Sequence, residues 1–238
     1  MSRTRVPVAT IDEGAGRATV ATTAYERLRN DILTGRLEPG VKLRIDEVSR
    51  RYGFSSSPLR EALNRLFADG IVDRHEQRGF YVAKASLEDL RELVKTRVWL
   101  ESIAVRESIL NADPAWEDAL VLAFHRLSRT MRSRSDTEFD INPEWELRHA
   151  EFHDALIANC RSTPLRKYCR DLRSKSDRYR LLATTSISAR GELDEHRAIF
   201  EATIAGETDR TLELLRSHYT ITQRVIEERY FEPEKSSR

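Results

Sequence analysis

The chain of 238 residues is long enough for two domains, and a charged fraction of 33% with few Gly and Pro residues is typical of a soluble, helix-rich protein. Two cysteines exclude a disulfide framework, and the lack of an apolar run of about 20 residues excludes a membrane-spanning helix. The formal net charge of +1 does not by itself indicate a nucleic-acid partner, although basic residues outnumber acidic ones over residues 21–84.

The two ends of the chain are predicted to be tails. Residues 1–20 are rich in Thr, Ala, Gly and Arg, and residues 233–238 are polar and charged, so neither segment can bury an apolar core. The basic N-terminal residues are not followed by the apolar segment of a signal peptide. We therefore expect a reducing, cytoplasmic location and no membrane partner.

The first folded segment is predicted to begin with two helices joined by a turn. An apolar stripe at helical spacing indicates a helix that ends at Gly35, and its members are Ala24, Tyr25, Leu28 and Ile32. Pro39 and Gly40 predict the turn. A second, short helix over residues 45–52 is expected to end at Gly53, since glycine readily adopts the left-handed conformation of a helix C-cap.

Residues 53–72 predict a recognition helix with both ends marked. Ser57 is expected to cap the N-terminus, Pro58 to occupy the first helical position and Gly70 to close the helix. The apolar positions share one face and are Leu59, Leu63, Leu66 and Phe67. The other face carries Arg60 and Asn64, so the helix can present a polar surface to the major groove of DNA.

A wing is predicted after this helix. The polar loop over residues 73–79 and the apolar residues 80–82 indicate a short β-hairpin with Arg78 at its tip. Residues 21–84 are thus expected to form a winged helix-turn-helix domain that binds double-stranded DNA. The candidate DNA-contacting residues are Arg44, Ser55, Ser56, Ser57, Arg60, Asn64, Arg78 and Gly79.

Residues 85–232 are predicted to form an antiparallel six-helix bundle, because no alternating strand pattern competes with the helical periodicity. Ser86 is expected to cap the first of these helices. The helices are predicted over about residues 87–110, 114–133, 143–160, 163–183, 192–205 and 209–231. The expected fold class of the whole chain is mainly α.

Four histidines on three of these helices are predicted to face the interior of the bundle. His149 and His153 are four residues apart, so they share a helix face, whereas His196 and His218 lie on the apolar stripes of the fifth and sixth helices. Neutral imidazole is the commonest ligand of transition metals in proteins. The alternative is that these histidines are hydrogen-bonded core residues, which is the more frequent role of a single histidine on an apolar stripe.

Other charged residues of the bundle are candidates for supporting such a site. Several carboxylates can orient the imidazole rings, namely Glu151, Asp154, Glu192, Asp194 and Glu195. Arg97 and Arg180 are candidates for binding an effector carboxylate, because a guanidinium matches that group in two hydrogen bonds. The alternatives are that Arg97 pairs with Glu101 one turn later and that Arg180 is solvated. For Arg178 the solvated position is favoured.

The N-terminal region resembles the GntR family of bacterial transcription factors. The resemblance rests on residues 37–43 (LEPGVKL), 57–66 (SPLREALNRL), 69–72 (DGIV) and 79–82 (GFYV). It implies a winged-helix homodimer that binds a palindromic operator. Ser56 stands where the family usually has an arginine that reads a base edge, so we expect a different operator preference.

Residues 85–232 resemble the FCD effector domain of the FadR subfamily of these regulators. The motifs are residues 97–101 (RVWLE), 149–153 (HAEFH) and 196–207 (HRAIFEATIAGE), together with His218. In metal-binding members an Asp and three His bind a divalent cation, and the resemblance gives His153, His196 and His218 the His positions. His149 replaces the Asp and is either a fourth ligand or unbound. The implied cofactor is a divalent metal ion, Zn or Ni, with no organic cofactor.

These observations predict a ligand-responsive, sequence-specific DNA-binding repressor that is not an enzyme and that binds a small carboxylate beside the metal. Two alternatives stay open at this point. Three His on a metal with an open position also occur in hydrolytic zinc sites, so a metal-dependent helical hydrolase fused to a DNA-binding module is the first. A non-specific architectural DNA binder, whose affinity would depend on salt alone, is the second.

Overall fold

The computed structural model describes residues 19–75, 78–135, 140–183 and 192–232. The tails expected over residues 1–20 and 233–238 lie outside these ranges, apart from residues 19 and 20, and Val20 already begins the first helix. The buried apolar residues form two separate cores, one drawn from residues 24–82 and one from residues 90–226. The boundary between two domains at residues 84 and 85 stays a prediction.

The N-terminal unit consists of three helices and a small antiparallel sheet in the described residues. Its elements are α1 (Val20–Leu33), β1 (Lys42–Leu43), α2 (Ile45–Tyr52), α3 (Ser56–Ala68), β2 (Val72–His75) and β3 (Gly79–Val82). The strand order is β1-β3-β2, with Phe80 of β3 opposite both Leu43 and Arg74. The helix-turn-helix and the wing therefore lie where the sequence predicts them.

The recognition helix α3 begins earlier than expected. Ser55 has an extended backbone and is the N-cap, so the prediction that Ser57 caps the helix is wrong. The first hydrogen bond of the helix is donated by the Leu59 N–H to the Ser55 carbonyl at 3.3 Å. Pro58 is the third residue of α3 and not the first, so the prediction that it occupies the first helical position is also wrong. It precedes the Leu59 amide, so its missing N–H costs no helical hydrogen bond and the helix can start at Ser56.

Gly70 ends α3 as predicted, with a φ of +68°. The N–H groups of Gly70 and Ile71 donate to the carbonyls of Phe67 and Leu66, both at 3.0 Å, which is the hydrogen-bond pattern of a Schellman motif. Phe67 does not face the core but is 46% exposed. One residue turns a helix by about 100°, so burying Leu66 directs Phe67 away from the core and the prediction for Phe67 is wrong.

The C-terminal unit is an all-helical bundle. Its helices are α4 (Leu87–Leu110), α5 (Pro114–Ser128), α6 (Pro143–Leu156), α7 (Thr163–Leu182), α8 (Glu192–Ile204) and α9 (Thr208–Ile226), and a π-helical turn (Glu227–Phe231) follows α9. Four of these helices have an N-cap residue whose side-chain oxygen accepts a hydrogen bond from an N–H group of the first turn. These N-cap residues are Ser86, Asp113, Asn142 and Ser162. α4 packs against α7 and α9, and α5 packs against α6 and α8. None of the described helices is long and apolar enough to cross a membrane.

Three of these helices end before the predicted residue. After α5, Ser133 pairs with Ile141 in an antiparallel bridge, which takes the backbone out of the helix. After α6, 3₁₀-type hydrogen bonds turn the chain and bury Ile157 and Cys160. α9 widens into the π-helical turn at Glu227 rather than continuing as an α-helix. The local periodicity therefore does not determine where these three helices end.

Candidate functional site

Four histidines meet inside the bundle, from α6, α8 and α9. Each offers one ring nitrogen, and these nitrogens all lie within 4.8 Å of one another. The rings are almost inaccessible, with exposures of 1–6% at His149, His153, His196 and His218. The cluster is the one that the helical spacing predicts.

The geometry of the cluster suits a small cation. The Nε2 atoms of His149 and His153 are 3.2 Å apart, and the ring centres of His196 and His218 are 4.6 Å apart. Zinc–nitrogen bonds of about 2.0–2.1 Å at tetrahedral angles place two ligand nitrogens roughly 3.3 Å apart. The four imidazole nitrogens therefore suit a divalent transition metal in chemistry, and the His149–His153 pair already has the spacing of two ligands.

Burial is the main reason why the pKa values of His149 and His153 lie well below the usual value of an imidazole. Positive neighbours lower them further, notably Arg97 for His153 and Arg180 for His149. Both rings are consequently neutral near pH 7 and can offer a lone pair to a metal. The Nδ1 atom of His149 is buried without a hydrogen-bond partner among the described residues, which is unfavourable for a purely structural histidine.

Hydrogen bonds from outside the cluster orient two of the rings. Glu195 lies 2.7 Å from the Nδ1 atom of His218, as expected for one of the supporting carboxylates. The hydroxyl of Tyr219 lies 3.3 Å from the Nδ1 atom of His153, a contact that sequence reasoning missed. Two other supporting candidates, Glu151 and Asp154, instead pair with arginines.

Arg97 and Arg180, the two candidate effector ligands, line a small cavity beside the cluster. Arg97 donates to Glu101 at 2.6 Å, which is the predicted alternative pairing, but its second terminal nitrogen is buried without a partner among the described residues. Arg180 is buried and pairs with Glu146 and Asp177, so the solvated alternative is wrong for it. The cavity measures about 20 Å³, which is room for one or two water molecules.

α7 connects this cavity to the N-terminal unit. Its inward residues Ser176 and Asp177 line the cavity together with Arg180. On the same helix, Lys175 lies against Gly70 at the end of α3, and Arg178 donates a hydrogen bond to the carbonyl of Ala83. Arg178 is 5% exposed, so the prediction that it is solvated is wrong. Its guanidinium is buried because it donates to the backbone carbonyl of Ala83, which lies between the two units.

The candidate DNA-contacting residues lie on the surface of the N-terminal unit. Those on or before α3 and in the wing are exposed: Ser55, Ser56, Ser57, Arg60, Asn64, Arg78 and Gly79. Arg44 is also exposed and forms an ion pair with Glu47 at 3.4 Å. Arg74, which is exposed on β2 of the wing, is a basic residue that sequence reasoning did not select.

Comparisons with known proteins match both units of the chain. Residues 20–82 match the family described as bacterial regulatory proteins, gntR family, and residues 92–220 match the FCD domain. The HTH-type transcriptional regulator BphR of Paraburkholderia xenovorans (strain LB400) is 38% identical over 226 residues, which cover 93% of this chain and 88% of BphR.

Two further proteins are similar over most of their length. The HTH-type transcriptional repressor GlaR of Escherichia coli (strain K12) is 32% identical over 209 residues, or 86% of this chain and 94% of GlaR. The solved structure of E. coli McbR/YncC matches with a TM-score of 0.70 at 18% identity, over 90% of this chain and 100% of that chain, and so supports the fold alone.

Proposed function

We propose that this chain, which belongs to the gntR family of bacterial regulatory proteins and carries an FCD domain, is a sequence-specific repressor that responds to a small organic acid. Its relatives are transcriptional regulators, which are not enzymes, so the hydrolase alternative is set aside. The observation that carries the proposal is a buried cluster of metal-binding side chains next to guanidinium groups in the helical domain.

The proposed metal ligands are His149, His153, His196 and His218, and the proposed metal is Zn or Ni, since both accept neutral imidazole. Because these residues belong to three helices, holding a cation together would tie α6, α8 and α9 to one another. When bound, the cation supplies positive charge and a Lewis acid for an effector carboxylate.

The proposed effector ligands are Arg97 and Arg180. Arg97 has a buried donor with no partner among the described residues, which a carboxylate oxygen can satisfy. The cavity holds only one or two water molecules, so an organic acid must displace surrounding side chains as it binds. Movement of α7 would then reach Gly70 and Ala83, which α7 contacts on its other side.

The proposed operator contacts are Arg60 and Asn64 on α3, the serines at its N-terminal end, Arg44, and Arg78 with Gly79 in the wing. Exposed residues at the start of a recognition helix can reach base edges in the major groove, and a basic residue beside a glycine allows close approach to the backbone. A palindromic operator requires a homodimer.

α4 offers a surface for such a dimer. Trp99, Ile103 and Leu110 are 58%, 53% and 70% exposed, and their spacing places them on one stripe of the helix. An exposed apolar stripe on an otherwise charged surface is suited to packing against a second copy of the chain. Introducing a charge at Ile103 should dissociate the dimer in analytical ultracentrifugation.

The test of the proposed function is selection of binding sites from a random duplex library by the full chain, followed by titration of the winning sequence at several salt concentrations. We expect a palindrome that binds at least 10³-fold more tightly than random duplex. Equal affinity for both duplexes, with the same salt dependence, would instead support the architectural alternative. Elemental analysis of the purified protein tests the metal separately.

A further inference from the structure

A line of buried polar groups runs from Arg97, which lines the small cavity, to the histidine cluster. The Arg97 Nε atom donates to one oxygen of Glu101 at 2.6 Å, and the Tyr219 hydroxyl donates to the other oxygen. The same hydroxyl lies 3.3 Å from Nδ1 of His153. These four residues are 1–5% exposed, so water does not compete for their hydrogen bonds.

The proton positions along this line follow from the chemistry of the groups. A carboxylate can only accept, so the phenolic proton of Tyr219 points to Glu101. The Tyr219 oxygen then has only lone pairs for His153, and the contact is a hydrogen bond only when Nδ1 of His153 carries a proton. A neutral ring protonated at Nδ1 has its lone pair on Nε2, the atom that lies 3.2 Å from Nε2 of His149.

The surroundings keep the phenol in its donating form. The other oxygen of Glu101 accepts from Arg97, so this carboxylate can only accept from Tyr219 and the phenolic proton stays on the Tyr219 oxygen. The guanidinium of Arg97 lies 4.0 Å from the centre of the Tyr219 ring and holds it from one side. The hydroxyl is therefore fixed in both protonation and position.

We propose that Tyr219 is a positioning residue that fixes the tautomer of His153 so that Nε2 faces the metal, and that Glu101 links this residue to Arg97. The inference rests on the proposed metal site. It adds a direct structural link between the metal and the guanidinium that is proposed to bind the effector carboxylate. If binding of an effector at Arg97 changes the affinity for the metal, then by reciprocity the metal changes the affinity for the effector by the same factor.

His218 provides a comparison within the same cluster. Its Nδ1 atom has a carboxylate oxygen of Glu195 at 2.7 Å, which is a common way to orient a metal-binding imidazole. His153 instead reaches its carboxylate, Glu101, through a phenol. Removing the hydroxyl of Tyr219 breaks this link but leaves the ring in the core. The variant therefore separates the role of the hydroxyl in orienting His153 from the role of the ring in packing.

The experiment compares the wild type with Tyr219→Phe and uses Tyr179→Phe as the control. Tyr179 is also a buried tyrosine, and its hydroxyl accepts from the Ser86 N–H at 3.5 Å, away from the histidines. Zinc affinity is measured by competition with a chromophoric chelator. We expect Tyr219→Phe to weaken zinc binding roughly 10–100-fold, as loss of a residue that orients a ligand typically does, and Tyr179→Phe to leave it unchanged.

A second measurement needs no variant. Nitrogen-15 NMR of the metal-free wild type distinguishes the two tautomers of His153, and we expect the proton on Nδ1. A proton on Nε2 would overturn the inference, even if Tyr219→Phe fails to fold. Unchanged zinc affinity in a folded Tyr219→Phe variant would also overturn it and leave the metal site intact, whereas a wild type that binds no zinc would overturn the metal site itself.

Discussion

At the scale of single residues, the four histidines differ in which helices they would connect through a bound metal. His149 and His153 both belong to α6, so loss of His149 leaves one ligand on each of the three helices. His196 is the proposed ligand from α8, so its loss would disconnect that helix from the proposed metal site. A metal at 100 times its Kd adds about 2.7 kcal/mol to the free energy of unfolding.

We therefore expect His196→Ala to lose this zinc-dependent stabilisation and His149→Ala to keep more than half of it. Thermal unfolding with and without zinc measures the difference. His125→Ala is the control, because His125 is exposed on α5 outside the cluster. If His149→Ala is as insensitive to zinc as His196→Ala, then all four ligands are required.

A second residue-scale prediction concerns the DNA surface. Arg60 is exposed on α3, about one turn beyond the serines at the N-terminal end of the helix. Arg60→Ala should weaken operator binding by about 1–3 kcal/mol if the guanidinium reads a base, or lower the salt slope by about one if it binds phosphate. Arg216, which is also exposed but lies on α9, supplies the control. Titrations that show neither change would remove Arg60 from the interface.

The sequence was sufficient to predict which histidines meet but not what orients them. Four inward positions on amphipathic helices follow directly from the periodicity, and burial of His149, His153, His196 and His218 confirms them. The contact of Tyr219 with His153 depends on the rotation of α9 relative to α6, which periodicity defines only to within a neighbouring position. Sequence reasoning about single helices therefore cannot identify such a partner.

At the scale of helices and strands, the sequence predicts starts better than ends. Capping side chains and prolines mark the starts of α4 to α7 locally, and the structure confirms them within a residue or two. The ends of α5, α6 and α9 depend on a bridge, on the burial of Ile157 and Cys160, and on a π-helical turn. These causes involve partners that are distant in the sequence or a change in the hydrogen-bonding pattern.

α7 is the element that we expect to carry the coupling between effector and DNA. Arg178→Met removes the hydrogen bond to Ala83 between the wing and α4 but does not touch the histidines. Zinc affinity should stay unchanged, while the difference in DNA affinity between zinc-loaded and chelated protein, expected at about 1–3 kcal/mol, should shrink. DNA titrations of both forms measure it.

The control for this prediction is Arg170→Met, also on α7. Arg170 pairs with Asp154 of α6 at 3.1 Å, so its guanidinium is engaged within the helical bundle. It should behave like the wild type. If Arg178→Met retains the full difference in DNA affinity between the two forms, the coupling does not pass through its contact with Ala83.

At the scale of the whole molecule, the histidine cluster makes stability depend on pH. Burial lowers the pKa values of His149 and His153 below that of an unfolded imidazole, about 6.5, so the unfolded chain binds more protons between those values. Stability therefore rises with pH in this window, is fully present above about 6.5, and is lost as pH falls through the window. Protons also compete with a metal for the same nitrogens, so metal binding should weaken in the same direction.

The last prediction combines these two effects. Above pH ~7, chelation should lower the melting temperature of the wild type, because the metal binds only the folded cluster. As the pH falls below ~6.5 and through the lowered pKa values of His149 and His153, the difference in melting temperature between the zinc-loaded and chelated proteins should disappear, since protonated imidazoles cannot bind zinc. His196→Ala should show no effect of chelation at any pH. A zinc-dependent melting temperature that persists unchanged into acid would mean that the cation is held by carboxylates elsewhere in the chain and not by these histidines.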